Sequence, residues 1–148
     1  MTESIVSRNI VIYADDDKDD LELVQDAFAQ YAQNVEVLTF MDGSSVLSFI
    51  EGIKENDMLP CLIILDINMP VMNGKEALIM IRQIKQFELV PIVLFTTSSQ
   101  PIDKNFAERY NAGFITKPLG IRQMEIITDQ FIDHCTEEIR RKIRRQIG

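Results

Sequence analysis

The chain has 148 residues, 46% of them hydrophobic and 26% charged, which is typical of one globular domain with a full core and excludes a disordered chain. No apolar run approaches the roughly 20 residues that cross a bilayer, which excludes a membrane span. The net charge is −8, with −11 over residues 1–135 and +3 over residues 136–148. Because phosphate backbones bind basic surfaces, the acidic body argues against nucleic acid as a partner.

Apolar runs that predict strands alternate with amphipathic segments that predict helices. Residues 9–14 ("NIVIYA") form an uninterrupted β-branched run, which is typical of a strand buried on both faces. Residues 18–33 carry apolar side chains at three-to-four spacing, the stripe of a helix. A second strand is predicted at residues 35–40, and a second helix opens at residues 42–44 ("DGS").

The second half of the chain continues this alternation. Residues 61–66 ("CLIILD") are the most hydrophobic run and predict a central strand, followed by a helix over about residues 75–86. A fourth strand is predicted at residues 91–96, a shorter helix at about 102–111 and a short fifth strand at 112–116. Five strand–helix units with short connections predict a parallel sheet with flanking helices, a (βα)5 doubly wound α/β fold. Ligand sites in such sheets lie beyond the carboxyl ends of the strands.

A last helix is predicted from about residue 120 to 146, so that a single domain with a core of about 9–132 carries an extension over 133–148. Apolar residues recur there every four positions, at Ile127, Phe131, Cys135, Ile139, Ile143 and Ile147. On a helix with 3.6 residues per turn this stripe drifts by ~40° per step, so it cannot all face one core. We therefore expect the last three isoleucines to project beyond the domain. Exposed isoleucines need a partner, so we predict a homodimer through this helix, with docking on a kinase or fraying as alternatives.

The two cysteines, Cys61 and Cys135, lie far apart in the sequence and lack CxxC spacing, so neither a disulfide framework nor a zinc site is expected. The N-terminus contains an acidic residue and no long apolar stretch, so it does not predict a signal peptide. We therefore expect a cytoplasmic protein with reduced thiols.

Polar side chains follow four of the five predicted strands. The first strand delivers Asp15 and Asp16, the third Asp66, the fourth Thr96 and the fifth Lys117. Carboxylates 4 Å apart repel by ~4 kcal/mol at an effective dielectric constant of 20, a penalty that a divalent cation removes. Mg²⁺ prefers oxygen ligands and keeps several waters, which leaves room for phosphate oxygens. The lysine and threonine suit an incoming phosphoryl group, and Asp66 suits the nucleophile of an aspartyl phosphate.

Four motifs in this order resemble the receiver domain of two-component response regulators. They are "DD" after the first strand, "LDINMPVMNG" after the third, "FTTSS" after the fourth and "KP" after the fifth. Order and spacing match from residue 9 to about 132. With its Asp-rich "DDDKDD" opening, the chain resembles in particular the stand-alone receivers that follow bacterial phytochrome-type kinases. The resemblance implies the five-stranded flavodoxin-like fold of the chemotaxis regulators.

The resemblance also implies a phosphoacceptor and a metal site. Asp66 corresponds to the phosphoacceptor and belongs to the magnesium site as well. Asp16 corresponds to a direct magnesium ligand, Asp15 to a ligand through water, and Asn68 to a ligand through its backbone carbonyl. Magnesium is thus the implied cofactor.

Three further residues match the conformational switch of the family. Thr96 corresponds to the hydroxyl that moves toward the phosphoryl group, Lys117 to the ammonium that pairs with that group, and Phe114 to the switch aromatic. The Lys117–Pro118 bond is typically cis in the family. Thr97 stands where Ala or Gly is common, so we expect it to restrict access of the phosphoryl group.

We therefore predict a stand-alone response regulator that accepts a phosphoryl group onto Asp66. The expected donor is a phosphohistidine on a sensor histidine kinase or histidine phosphotransfer protein, and the signal is expected to leave by contact with a downstream protein. Such a receiver assists its own phosphorylation and dephosphorylation and is not a turnover enzyme. A magnesium-dependent phosphohydrolase is one alternative, although "DDD" lacks the hydroxyl motif that follows the nucleophile in the dehalogenase type. A scaffold that is never phosphorylated is the other, but it would be expected to lose some of Asp66, Thr96 and Lys117.

Overall fold

The computed structural model describes residues 8–118 and 123–144. Their strands form one five-stranded sheet in the order β2-β1-β3-β4-β5, in which every neighbouring pair is parallel. The strands are β1 (Asn9–Ala14), β2 (Val35–Phe40), β3 (Leu62–Leu65), β4 (Ile92–Thr96) and β5 (Gly113–Thr116). The predicted parallel (βα)5 sheet is thereby confirmed.

The direction in which successive strands are added to the sheet reverses next to β1. The chain places β2 on one side of β1 and β3 on the other, so the crossover helices must cover both faces. The carboxyl ends of β1 and β3 flank the point of reversal, where doubly wound sheets bind their ligands. The sheet therefore brings Asp15 and Asp66, the residues directly after these two strands, to one place.

Six helices accompany the sheet within the described residues. They are α1 (Lys18–Phe28), α2 (Gly43–Glu51), α3 (Gly74–Arg82), α4 (Pro101–Arg109), α5 (Met124–Asp133) and α6 (Glu137–Arg144). Aspartate and asparagine side chains cap the first three: Asp17, Asp42 and Asn73 each accept backbone N–H groups of the first turn. Helices α1 and α3 end earlier than the periodicity predicts, because short 3-10 turns follow at Ala29–Tyr31 and Lys85–Phe87.

Alternating strand residues supply two separate hydrophobic cores. Tyr13, Ile64 and Phe95 face the core shared with α1 and α5. Ile63 and Leu94 belong to the core on the opposite face, which is shared with α2 and α3. All four residues of β3 are fully buried, as expected for the central strand of a sheet that is covered on both sides.

The C-terminal extension is helical, as predicted, but it is not one continuous helix. The chain turns between α5 and α6, and Ile143 of α6 is fully buried in the core beneath α1 and α5, with Ile139 packed against the same core. The side-chain amide of Asn34 donates to the carbonyl of Lys142, which fixes α6 against the start of β2. The prediction that Ile139 and Ile143 project from the domain is therefore wrong, and Ile147 lies outside the described residues.

A threonine at the turn explains why the helix restarts. The backbone N–H of Ile139 faces the Thr136 hydroxyl at 3.4 Å, and Arg140 donates to the carbonyls of Asp133 and Cys135 at the end of α5. Two glutamates occupy the first turn of α6, where the helix dipole favours negative charge. Thr136 followed by acidic residues is a helix-start signal that the four-residue periodicity concealed.

The two cysteines, distant in sequence, meet in the core. Cys61 lies just before β3 and Cys135 just after α5; both are buried and free, and both belong to the core on the α1 and α5 side of the sheet. Within the described parts of the chain, we find no helix that is both long and apolar enough to cross a membrane.

Candidate functional site

Three carboxylates meet where β1 and β3 end. One oxygen from each of Asp15, Asp16 and Asp66 lies within 4.8 Å of the other two. The backbone N–H of Asp66 donates to the carbonyl of Ala14 at 3.0 Å, so the pairing of β1 with β3 sets this approach. Asp15 is fully buried and Asp66 is 5% exposed, whereas Asp16 faces solvent. The predicted acidic pocket therefore exists, with one carboxylate that is open to solvent.

Asp15 is held by a complete set of donors. Its Oδ2 accepts from the Tyr13 hydroxyl and from the Lys117 ammonium, and its Oδ1 accepts from the backbone N–H of Asp17 at 3.0 Å. Burial and the neighbouring Asp15 raise the pKa of Tyr13, which keeps that hydroxyl a donor. Sequence reasoning missed Tyr13, although its position two residues before Asp15 on a strand places both on the same face.

Asp66 sits in an environment that disfavours its charged form. Burial, and then the adjacent Asp15 carboxylate, raise the pKa of Asp66 from 3.8 to about 7, although Lys117 acts in the opposite direction. Gly74 closes the other side of Asp66. A Cβ on Gly74 would lie 2.1 Å from the Asp66 carbonyl oxygen, so glycine is required there by the close approach of the start of α3.

Lys117 lies among the carboxylates. Its Nζ is 2.7 Å from Asp15 Oδ2, 2.7 Å from Asp20 Oδ2 and 3.4 Å from Asp66 Oδ2. Burial alone would lower the pKa of the ammonium, but the hydrogen bonds to Asp15 and Asp20 and the charge of Asp66 outweigh burial and raise that pKa above its ordinary value. The contact with Asp20 was not predicted, since the spacing of the aspartates assigns Asp20 only to the charged first turn of α1.

Thr96 ends β4 and is fully buried. The backbone N–H of Ser98 lies 3.3 Å from the Thr96 hydroxyl, and the Ser98 hydroxyl contacts Asp103 in α4. Asp103 also pairs with Lys75 at the start of α3, and these two donors lower the pKa of Asp103. The loop after β4 is thus tied to the first turns of two helices.

The other predicted site residues occupy the rim. Asn68 is exposed on the loop between β3 and α3, and Phe114 on β5 is half-buried. Their assigned roles stay predictions. The described residues contain no cis peptide bond, so the Lys117–Pro118 bond is trans, the form that is lower in energy even before proline, and the implied cis bond is wrong here.

The donor set of the pocket fits a hard divalent cation. Three carboxylates converge, and Asp20, which is paired with Lys117, brings a fourth carboxylate close to the pocket. The single ammonium of Lys117 contacts Asp15, Asp20 and Asp66. Oxygen donors with this excess of negative charge are the ligands that Mg²⁺ and Mn²⁺ prefer. Asp15, Asp16 and Asp66 could hold such an ion.

This fold with an acidic pocket at its point of strand reversal is that of a two-component signalling module. The sequence matches the response regulator receiver domain over residues 11–129, which is most of the chain, and the protein belongs to this family.

Relatives of known structure support the assignment. Response regulator Rcp1 of Synechocystis sp. is 32% identical over 96 residues, 64% of this chain and 65% of Rcp1. The phosphorylated cyanobacterial phytochrome response regulator RcpA has a TM-score of 0.77 at 26% identity, over 88% of this chain and 98% of RcpA. The Mn²⁺-bound form of Rcp1 has a TM-score of 0.73 at 26% identity, over 82% of this chain and 90% of that one.

A larger protein also contains a matching segment. Hybrid signal transduction histidine kinase I of Dictyostelium discoideum is 28% identical over 131 residues, which are 86% of this chain but 7% of the kinase. The chain thus spans less than two thirds of the length of these curated relatives, Rcp1 included.

Proposed function

We propose that this receiver accepts a phosphoryl group from a phosphohistidine onto Asp66 in a magnesium-dependent reaction. The donor is a sensor histidine kinase or a histidine phosphotransfer protein, and the signal passes on by contact with a downstream protein. The observation that carries the proposal is the convergence of Asp15, Asp16 and Asp66 within 4.8 Å, with the Lys117 ammonium 3.4 Å from Asp66. The likeness to RcpA, described as phosphorylated, and to Mn²⁺-bound Rcp1 supports it.

The chemistry assigns each residue one task. A carboxylate oxygen of Asp66 attacks phosphorus in line, and a P–O bond forms while the P–N bond to the donor imidazole breaks with its electrons leaving on nitrogen. Lys117 neutralises charge on the phosphoryl oxygens, and the Thr96 hydroxyl donates to one of them.

The metal site adds positive charge to the same centre. Asp15, Asp16 and Asp66 would hold the ion, together with the backbone carbonyl of Asn68. When bound, magnesium offsets the charge of the carboxylates and of the incoming phosphate oxygens. Because Asp66 has a pKa of about 7 without metal, a nearby cation also favours the ionised, nucleophilic carboxylate.

Intact-mass measurement after incubation with Mg²⁺ and acetyl phosphate tests the acceptor. Wild type and Asp26→Asn, which removes an exposed aspartate of α1, should each gain one phosphoryl group, and Asp66→Asn should gain none. Equal labelling of Asp66→Asn would refute the assignment of the acceptor.

A magnesium titration tests the metal site separately. Asp16→Ala removes an exposed ligand without opening the core, so it should raise the Mg²⁺ concentration at half-saturation and slow phosphorylation. The chain contains no tryptophan, so amide NMR shifts provide the signal. An unchanged midpoint would mean that Asp16 is not a metal ligand.

A further inference from the structure

Asp20 of α1 lies closer to Lys117 than the proposed phosphoacceptor does. The Lys117 Nζ lies 2.7 Å from the Asp20 carboxylate but 3.4 Å from Asp66. The shorter distance is that of a charge-assisted hydrogen bond, and the longer one exceeds the usual range. In the unphosphorylated chain the ammonium is therefore bound to Asp20 more closely than to Asp66.

The surroundings of this ion pair make it stronger than an ordinary surface pair. The side chain of Lys117 is 10% exposed and that of Asp20 28% exposed, so solvent screens them less than an exposed pair. The first turn of α1 also fixes Asp20, because Asp17 caps the helix and accepts the backbone N–H groups of Asp19 and Asp20. Lys117 thus meets a carboxylate whose backbone is already held.

The neighbouring aspartate provides a contrast. Asp19 lies in the same first turn and carries the same charge, but it is exposed, and the described hydrogen bonds and ion pairs include none between its carboxylate and Lys117. The five aspartates of "DDDKDD" therefore differ in position. Asp15 and Asp16 belong to the acidic cluster, Asp17 caps α1, Asp19 is exposed, and Asp20 shares Lys117 with Asp15.

We propose that Asp20 is a positioning residue that holds Lys117 away from Asp66 until a phosphoryl group arrives. This inference rests on the proposed function. The phosphoryl group brings additional negative charge to Asp66 and attracts the same ammonium. Lys117 must then give up its contact with Asp20, and the free energy of that contact opposes phosphorylation. Among the contacts of the described residues, the Asp20 carboxylate is bonded to Lys117 and not to Asp15, Asp16 or Asp66, so we take it to act through Lys117.

The test compares Asp20→Asn with Asp19→Asn, since both remove one charge from the same helix turn. At saturating Mg²⁺ and acetyl phosphate, Asp20→Asn should raise the maximal rate and the steady-state level of phosphorylation by roughly fivefold over Asp19→Asn, with the concentration of donor at half-maximal rate unchanged. Equal values for the two variants, or a slower Asp20→Asn, would overturn the proposal.

A second measurement needs no phosphorylation. The ¹⁵Nζ resonance of Lys117 in the unphosphorylated protein should shift in Asp20→Asn and stay in place in Asp19→Asn, which a purely structural role of Asp20 would not produce. A resonance that stays in place in both variants would refute the ion pair. If the resonance shifts in Asp20→Asn but wild type takes no phosphoryl group, the ion pair is supported and the proposed function is refuted. The proposed competition for Lys117 would then be refuted as well.

Discussion

Replacing Asp66 by asparagine should stabilise the metal-free protein, and by more at pH 8 than at pH 5. Asp66 is 5% exposed and lies beside Asp15, and together these raise its pKa from 3.8 to about 7. Between these two values the folded protein keeps a proton on Asp66 that the unfolded chain releases. The stability from this group is therefore fully present below pH 3.8 and is lost as the pH rises to about 7.

The size of the effect follows from the pKa shift. Each pH unit between the two pKa values costs about 1.4 kcal/mol, and two of those units lie between pH 5 and pH 7. The gap in unfolding free energy between Asp66→Asn and wild type should therefore widen by roughly 2 to 3 kcal/mol from pH 5 to pH 8. Asparagine keeps the shape of the side chain and does not titrate.

Urea titration followed by far-UV circular dichroism, with EDTA present, measures this gap. Asp26→Asn removes an exposed charge and should show no comparable change between the two pH values. A gap that stays constant between pH 5 and pH 8, or narrows, would refute the argument that burial and Asp15 destabilise the charged form of Asp66.

Three other features are tested by substitution. Val71 is 85% exposed and has a φ of 65°, which is strained for a β-branched residue, so Val71→Asn should raise the unfolding free energy by about 1 kcal/mol in urea titration. Ile143→Ala should lower the unfolding free energy by about 2 to 4 kcal/mol because Ile143 is fully buried. Ile126 is 62% exposed, so Ile126→Ala should change the unfolding free energy by no more than about 0.5 kcal/mol. Thr97→Ala should speed phosphorylation by acetyl phosphate severalfold, as followed by intact mass, since it removes bulk beside Thr96.

For each of these substitutions, one outcome would refute the prediction. A loss of stability in Val71→Asn would show that the valine makes contacts worth more than its backbone strain. Equal effects of the two isoleucine substitutions would contradict the docking of α6. An unchanged rate in Thr97→Ala would mean that the threonine does not limit access.

The strands were predicted almost residue by residue, and the helix ends were not. The predicted bounds of β1 and β2 are those observed. β1 lies inside the sheet and is apolar up to Ala14, where the aspartates begin, whereas β2 is an edge strand that ends at the turn before α2. Helix ends depend on caps and 3-10 turns. The apolar stripe of α1 continues past Phe28 into the 3-10 turn, where Tyr31 is still buried.

Some contacts of the candidate site could likewise be predicted from the sequence, and others could not. Asp15, Asp66 and Lys117 could be predicted to converge because the topology of the sheet alone brings their strand ends together. The two-residue spacing of Tyr13 and Asp15 indicates that they share a strand face, although it does not predict the hydrogen bond between them. The contact of Asp20 with Lys117 depends on a side-chain direction that neither periodicity nor spacing reports. Asp20, in the first turn of α1, and Lys117, directly after β5, are 97 residues apart in the chain and meet only in the folded structure.

The C-terminal segment shows how a local signal overrides a long-range pattern. A four-residue repeat extended through α5 would leave Ile143 in solvent. Burying an isoleucine side chain stabilises a fold by roughly 1.5 to 3 kcal/mol, and the restart at Thr136 turns α6 so that Ile143 enters the core. This burial takes Ile143 out of the stripe from which the homodimer was predicted, and the homodimer itself stays a prediction.

Ion pairs within the chain also involve the basic C-terminal segment. The basic segment after residue 135 suggested contact with the acidic body of a second copy. Instead, the guanidinium of Arg144 lies 2.9 Å from the Asp133 carboxylate and 3.5 Å from that of Asp129, both on α5 of the same chain. These pairs are partly exposed and individually weak, so they orient α6 more than they stabilise it. Part of the attraction that favoured a partner is therefore satisfied within one chain, and Arg144 helps to dock α6 on its own domain.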